Sequence, residues 1–529
     1  MVGGQGGDAG PLPIFPQWSF REDVYIEPEP HSGTVVVHSR WEDVILPSPG
    51  LTVLEAMRRM SLGPISLGNV IREDAERREL DAILDGLQHL VVRSFGFDPE
   101  QPLMSVIPLT QRARFRLPAA PLLHPVRLSR FALIRTDGNN YHVESPLSLH
   151  RVILHRPEAM AAVGALIRPV APSAITRESQ PVIVYLMAAG MVAQAVEEDP
   201  FQPMVFEEDV DPALVTWTPV DLMFHTRSTL GRHDHDFGAT YPMGDRWGVE
   251  PVVKPGPARV PADQEPVRAH ADQGSAGAPA DPGPGRAPVV LPRPKWDELL
   301  AADPPLTAAV EANRHTRHYG ERRLTAGELG ELLYRTVRVR SLVGSPDETS
   351  TTSTSDRPYP SSGNSYELEL YATVDRCADV PRGVYHYDPL RHRLEPIESD
   401  PADVDELLEA GKVAANLDTT PPVLLTITAR FRRLSRKYNG LSHSMVLKNV
   451  GALTQTLSLV GTAMGLAACG LDSGDIETTG RVFGLDWRVE SSVGGFVVGH
   501  RPGPEPSRFS RRYAVNDAEW VVRARAALP

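Results

Sequence analysis

Cysteine is nearly absent: the 529 residues hold two, Cys377 and Cys469, far apart and with no CxxC pair. That excludes a disulfide framework and a cysteine-rich zinc or iron–sulfur site, and it fits a reducing compartment. Positive charge is short, with 54 Lys and Arg against 67 Asp and Glu and a formal net charge of -13. Such a balance argues against general binding to nucleic acid or to anionic membrane surfaces. No long hydrophobic run occurs either. The most apolar stretch, Ser444 to Leu471, is interrupted by Lys448, Asn449 and Gln455, which makes it a poor membrane span. The opening MVGGQGGDAGPLP has neither the basic nor the apolar region of a signal peptide. A cytoplasmic, soluble protein is expected, and its length calls for two or three domains.

Proline and glycine, by contrast, are plentiful and concentrated. From Pro251 to Pro294 the chain is mostly Pro, Ala, Gly and charge, a composition that cannot bury enough apolar surface to offset its ordering entropy. It reads as a linker, semi-extended where proline is dense. The expected division is 1–120, 121–250, a linker at 251–292, a domain at 293–505 and a tail at 506–529.

Before the linker the pattern repeats. GTVVVHSRWEDVIL reads as strand, LTVLEAMRRM and ELDAILDGLQHL as helices, VVRSFGF and LMSVIPL as strands. Then NYHVESPLSLHRVIL reads as strand, PEAMAAVGALI and PVIVYLMAAGMVAQAV as helices, and LVTWTPVDLMF as strand. Leu80, Ile83, Leu84, Leu87 and Leu90 fall on one helical face. Strands flanking short helices suggest two winged-helix-like modules. They are either packing modules or a peptide-binding clamp, since an acidic protein is poorly suited to put winged helices on DNA. His225, His233 and His235 have no companion cluster, so no metal is expected.

After the linker the class is α+β. LTAGELGELLYRTV is a helix with Thr325 as N-cap and Glu328 at the capping-box position. YELELYATV alternates as a half-buried strand would, GVYHYDPLRHRLEPI turns at Asp388–Pro389, and PVLLTITARF suits a buried strand. Val446, Val450, Leu453, Leu457, Val460 and Met464 form a helical seam, and Gly451 and Gly461 would let another helix approach. That seam predicts a homodimer.

Four segments here carry candidate chemistry, each with a plainer alternative. Arg314 and Arg317, flanking His315 and Thr316, suit a phosphate or are a solvated basic turn. Pro360, Ser361, Ser362, Gly363 and Asn364 suit the edge of a planar ligand or are an ordinary small-residue loop. Lys437 stands beside Tyr438 and among Arg430, Arg432, Arg433 and Arg436, where like charge disfavours its ammonium and brings it towards general-base use, or it is a basic surface edge. At Leu471, Asp472 and Ser473 the apolar helix gives way to a turn whose N–H groups could reach a cofactor. Cys469 is expected in the core.

Taken in order, RPYPSSGNSYELELY, RGVYHYDPLRHRLE, SRKYNG followed by LKNVGALTQTLSLVGTAMGLAACGLDSGD, and SSVGGFVVG resemble the nitroreductase superfamily. They are most similar to its SagB-type branch, the FMN-dependent azoline dehydrogenases of modified-peptide biosynthesis. The likeness runs from Arg293 to Pro502, and VDLMFHTRSTLGRHD upstream shares it. It implies a nitroreductase-like FMN domain preceded by two winged-helix-like peptide-clamp modules, and a homodimer with FMN at the interface. Arg314 and Arg317 would contact the flavin phosphate or ring edge. His315 stands where many relatives have serine. Pro360, Ser361, Ser362 and Asn364 would line the isoalloxazine, and Leu471 to Ser473 would put an N–H near flavin N5, although relatives often have glycine at Asp472 and Ser473. Lys437 and Tyr438 occupy the branch's catalytic Lys–Tyr position. The implied partners are an azoline-bearing peptide and a cyclodehydratase. Alternatives on the same fold are an NAD(P)H-dependent nitro or enone reductase, or a peptide-binding scaffold with a vestigial flavin domain.

Overall fold

A computed structural model describes residues 13–29, 31, 33–197, 204–236, 238–242, 244, 250–254, 286–314, 318–343, 354–472, 474–502 and 518–528. The chain divides into two compact units, Met1–His235 and Asp236–Pro529.

The first unit contains β1 (Phe15–Phe20), β2 (Tyr25–Pro28), β3 (Val35–His38), β4 (Asp43–Leu46), α1 (Leu51–Leu62), α2 (Asp74–Gly86), β5 (Val91–Gly96) and β6 (Met104–Pro108). It continues with β7 (Val126–Leu128), β8 (Leu133–Asp137), β9 (Asn140–Glu144), β10 (His150–Leu154), α3 (Pro157–Ala165), α4 (Ser179–Ala188), β11 (Val192–Glu197), β12 (Val205–Phe206), α5 (Glu207–Val210) and α6 (Pro219–Arg227). A hairpin, two helices and a strand occur twice in this order. Leu80, Leu84, Leu87 and Leu90 bury the first helical face with Val53, Met57 and Met60. Ala159, Val163, Val182 and Leu186 build a second core. The two halves share one six-stranded sheet, β1-β5-β6-β10-β9-β8, joined by antiparallel pairing of β6 with β10.

Two expectations change here. PVIVYLMAAGMVAQAV is not one helix: α4 ends at Ala188, Gly190 turns left-handed at φ 73°, and the remainder becomes β11. A glycine there costs no Cβ clash and stops the helix. LVTWTPVDLMF is not a strand. Thr218 accepts from Asp221 N as an N-cap, Pro219 takes the first helical position, and α6 follows.

The second unit runs β13 (Val289–Val290), α7 (Trp296–Ala302), α8 (Leu306–Ala312), β14 (Leu324–Thr325), α9 (Ala326–Val337), β15 (Ser341–Val343), β16 (Thr354–Asp356), β17 (Leu368–Val374), β18 (Cys377–Ala378), β19 (Gly383–Asp388) and β20 (Arg393–Ile397). Then come α10 (Pro401–Ala415), β21 (Val423–Arg430), α11 (Arg432–Ser435), α12 (Ser442–Ala463), β22 (Leu466–Leu471), α13 (Ile476–Phe483), β23 (Glu490–His500) and α14 (Ala518–Ala526). Seven strands form one sheet in the order β13-β20-β19-β17-β21-β23-β22, antiparallel throughout. One face packs under α9 and α12, through Leu329, Leu333, Val446, Leu453 and Leu457. The other packs under α10 and α13, through Leu407, Leu408, Val482 and Phe483. The Thr325–Glu328 capping box is present at the start of α9. Residues expected in the linker belong to this unit as well: Val289 pairs with Leu394, and Leu291 is buried in the core.

The seam on α12 points inward. Val446, Leu453 and Leu457 are buried in the domain's own core, and Val450, Val460 and Met464 pack against it partly buried, so the seam serves the domain itself. β17 is buried along its whole length rather than on one face.

Candidate active site

The loop after β16 coils tightly, with positive φ at Gly363, Asn364 and Tyr366. Its shape is set by a buried polar knot. Ser361 Oγ accepts from Tyr366 N at 2.9 Å and donates to Glu367 Oε2 at 3.2 Å. Asn449, about two turns into α12 on its buried side, donates to Glu367 Oε1 at 2.8 Å and accepts from both the N–H and the hydroxyl of Ser362 at 3.1 Å. Burial pushes the Glu367 carboxyl above its ordinary pKa, against the hydrogen bonds from Asn449 and Ser361. Pro360, Gly363 and Asn364 remain exposed at the outer edge.

Lys437 and Tyr438 close on this loop. Lys437 Nζ donates to Gly363 O at 3.0 Å. A Cβ on Gly363 would collide with Tyr438 Oη and stand 2.8 Å from Lys437 Nζ, so only glycine permits the approach. Thus five residues from two of the four candidate segments, Ser361, Ser362, Asn364, Lys437 and Tyr438, meet in one place. Two of the four surrounding arginines are bonded to other groups. Arg433 Nε donates to Ser365 O at 2.6 Å, and Arg430 Nη2 donates to Pro251 O at 2.6 Å.

The Leu471 segment lies elsewhere. The helix ends at Ala463 and the chain becomes edge strand β22, not a glycine-rich turn. Leu471 is buried at its end and Asp472 is exposed; Ser473 lies outside the described residues. Leu471 faces a groove of about 580 Å³ between α10 and the sheet, lined also by Leu407, Gly411, Leu424, Thr426 and Ser492. The Ser492 hydroxyl is buried with no hydrogen-bond partner among the described residues. Arg314 is exposed beside Asn313, whose Oδ1 accepts from Thr462 Oγ1 at 3.2 Å. His315, Thr316 and Arg317 lie outside the described residues. In the first unit His225 stacks on Trp217, apart from the His233–His235 pair.

Beneath the Lys437 segment lies an ionic layer that sequence reasoning missed. Lys254 donates to Tyr371 Oη at 2.5 Å and Glu490 Oε2 at 2.6 Å, and Thr428 Oγ1 donates to Glu490 Oε1 at 2.8 Å. Glu369 meets His386 at 3.2 Å and Arg430 at 3.4 Å. Burial alone would raise the Glu369 pKa, but the His386 hydrogen bond and the Arg430 charge hold it at about 2. Its only sequence signal was the charge inside YELELY. For Asn449 the signal was an amide in an otherwise apolar helix.

Residues 310–500 match the family described as the nitroreductase family. They form a nitroreductase-fold domain. The chain is therefore an oxidoreductase, and residues 126–234 match a second family model, the cyanobactin oxidase ThcOx. The two matches cover VDLMFHTRSTLGRHD and most of 293–502, the stretches on which the resemblance to the SagB-type branch rests. The chain is 29% identical over 153 residues to a protein of Methanocaldococcus jannaschii described as "Putative nitroreductase MJ1384", covering 29% of this chain and 71% of that one. It is 28% identical over 215 residues to the trifolitoxin-processing protein TfxB of Rhizobium leguminosarum bv. trifolii, covering 40% of this chain and 57% of TfxB. A solved nitroreductase with bound FMN from Bacteroides fragilis is 12% identical, with 40% of this chain and 97% of that one covered and a TM-score of 0.24. Among the described residues no helix is long and apolar enough to cross a membrane.

Proposed function

We propose that the nitroreductase domain is an FMN-dependent dehydrogenase that oxidises thiazoline or oxazoline rings to thiazoles or oxazoles in a ribosomally made peptide. The observation that carries the reading is the closure of Lys437 and Tyr438 on the Gly363 loop, which puts an amine and a phenol at one exposed edge. Similarity to ThcOx and TfxB supports a peptide substrate.

The residues present fit a flavin. The groove beside Leu471 has the volume for a ring system and an unpaired hydroxyl, Ser492, in its wall. Arg314 and Arg317 would hold the phosphate, Asn364 and the Gly363 backbone a ring edge, and Leu471 to Ser473 the other edge. FMN, when bound, supplies the acceptor for the two electrons that aromatisation releases. The chain's own part is proton management: Lys437 takes the ring Cα proton, and Tyr438 orients the amine. The Ser361 and Ser362 hydroxyls are already engaged by Glu367 and Asn449, so they shape the loop. A cyclodehydratase that makes the azoline is the partner this implies, and a homodimer is the assembly.

Lys437→Ala is expected to keep its flavin and lose about 10²–10⁴-fold in azoline oxidation, the range for a positioned general base. Mass spectrometry of a model peptide reads the loss of two mass units per ring. Near wild-type conversion by the variant would remove Lys437 from the mechanism. A wild type that ignores azolines but consumes NAD(P)H with a nitro compound would replace this reading with a reductase.

A further inference from the structure

Tyr241 holds φ at 49°, a left-handed conformation that a bulky L residue keeps only when its surroundings impose it. The imposing contacts are visible. Its N–H donates to Lys437 O at 3.2 Å, and its own carbonyl accepts from Gly244 N at 2.9 Å in a tight turn. Further along, Arg433 Nη1 donates to the carbonyls of Glu250 and Pro251 at 3.3 and 3.0 Å. Lys254 then enters the buried layer of Tyr371 and Glu490. Tyr241, Glu250, Pro251 and Lys254 are thus each bonded to the domain, the first of them at Lys437 itself.

Backbone needs do not explain the tyrosine. Glycine would take this φ without strain, and Tyr241 belongs to neither core cluster of the domain. The residue is 47% exposed. Its backbone is nevertheless bonded to Lys437, the residue before Tyr438, and after burial the Tyr241 phenol is the second influence that raises the Tyr438 pKa. A strained backbone therefore delivers a half-open aromatic ring to the side of the Lys437–Tyr438 pair.

We propose that Tyr241 is a specificity-determining residue that packs its ring against the flat five-membered heterocycle from which Lys437 takes a proton. The substrate named here rests on the azoline reading above. The ring acts by contact, and its hydroxyl is dispensable for recognition. An aliphatic or compact polar residue at this place would leave the heterocycle without a planar partner.

Tyr241→Gly separates this role from a structural one, because glycine keeps the turn and its N–H to Lys437 while removing only the ring. The variant is expected to bind flavin as wild type does, and its KM for a thiazoline peptide to rise about five- to tenfold, the size of one aromatic contact. Tyr241→Phe should restore the wild-type KM. An unchanged KM in Tyr241→Gly overturns the proposal, and so does a Phe variant as poor as the Gly variant. A second arm needs no turnover. Spectrophotometric pH titration of wild type, Tyr241→Phe, Tyr438→Phe and the double variant should show the Tyr438 phenol titrating lower once the Tyr241 hydroxyl is gone. An unmoved Tyr438 titration sinks the placement of Tyr241 by itself. A wild type that leaves azolines untouched sinks the azoline reading, and with it the substrate named here.

Discussion

A carboxylate with no exposure keeps its charge only if several partners answer it, and Glu369 is answered by His386, Arg430 and Arg357. Its folded pKa of about 2 lies below the ordinary 4.5. The stability it contributes is therefore fully present above the ordinary value and is lost as pH falls from there towards 2. Glu369→Gln should cost about 3–5 kcal/mol at neutral pH, because Arg430 loses its fully buried counter-charge and keeps only the more distant Glu250. It should also flatten the acid side of the stability profile, read by urea unfolding at steps from pH 7 to pH 3. Parallel profiles for the two proteins would mean that Glu369 is not ionised in the fold. Asn449 poses a different residue-scale question. Truncating it strands the Ser362 N–H and one Glu367 oxygen, a loss of about 1–3 kcal/mol for a buried group left unpaired. Asn449→Ala should therefore lower both thermal stability and flavin content. A variant with full flavin would separate the knot from the site.

At the scale of the element, the loop carrying Gly363 depends on two conditions, positive φ and the absence of a Cβ. Gly363→Ala violates both, so it should push Lys437 and Tyr438 outward and cut azoline oxidation at least tenfold, with circular dichroism of the peptide backbone unchanged. Normal turnover would mean that the pair need not touch the loop. Much of this was legible beforehand. The small-residue run and the Lys–Tyr dipeptide each looked ordinary alone, and long-range contacts unite them, the hydrogen bond from Lys437 to Gly363 and the approach of Tyr438 to the same glycine. Periodicity located α9 and α12 because their apolar spacing is helical, and the Thr325 cap marked a boundary. Periodicity failed where burial comes from an unusual neighbour. β17 alternates like a half-exposed strand, yet both faces are covered because Glu369 is neutralised by charge rather than by water. It failed again at Gly190 and Thr218–Pro219, where single backbone signals outweigh the residues around them.

At the scale of the whole molecule, one chain presents the candidate flavin contacts in two groups. Ser362 and Lys437 belong with Asn449 on the side of the sheet that α12 covers, whereas Leu471 and Leu424 belong to the core under α10. A single ligand meeting both groups is most simply shared between two copies. The inward seam of α12 does not supply their contact, but its outer ridge can. His443, Leu447, Gly451 and Gln455 recur every fourth residue and are exposed, and a Cβ on Gly451 would meet nothing within 4 Å. Close helix approach needs such a gap, and a closed two-fold dimer would set the ridge against itself. Leu447→Arg places a charge in the middle of that ridge, with 43% of the leucine already exposed, so the monomer fold should tolerate it. If the ridge joins two copies and the flavin is shared, dimer and flavin are lost together: sedimentation equilibrium should report a monomer, and the yellow absorbance should fall with it. A monomeric variant that retains full flavin would place the whole cofactor site within one chain. A dimer that survives the charge would move the interface off α12.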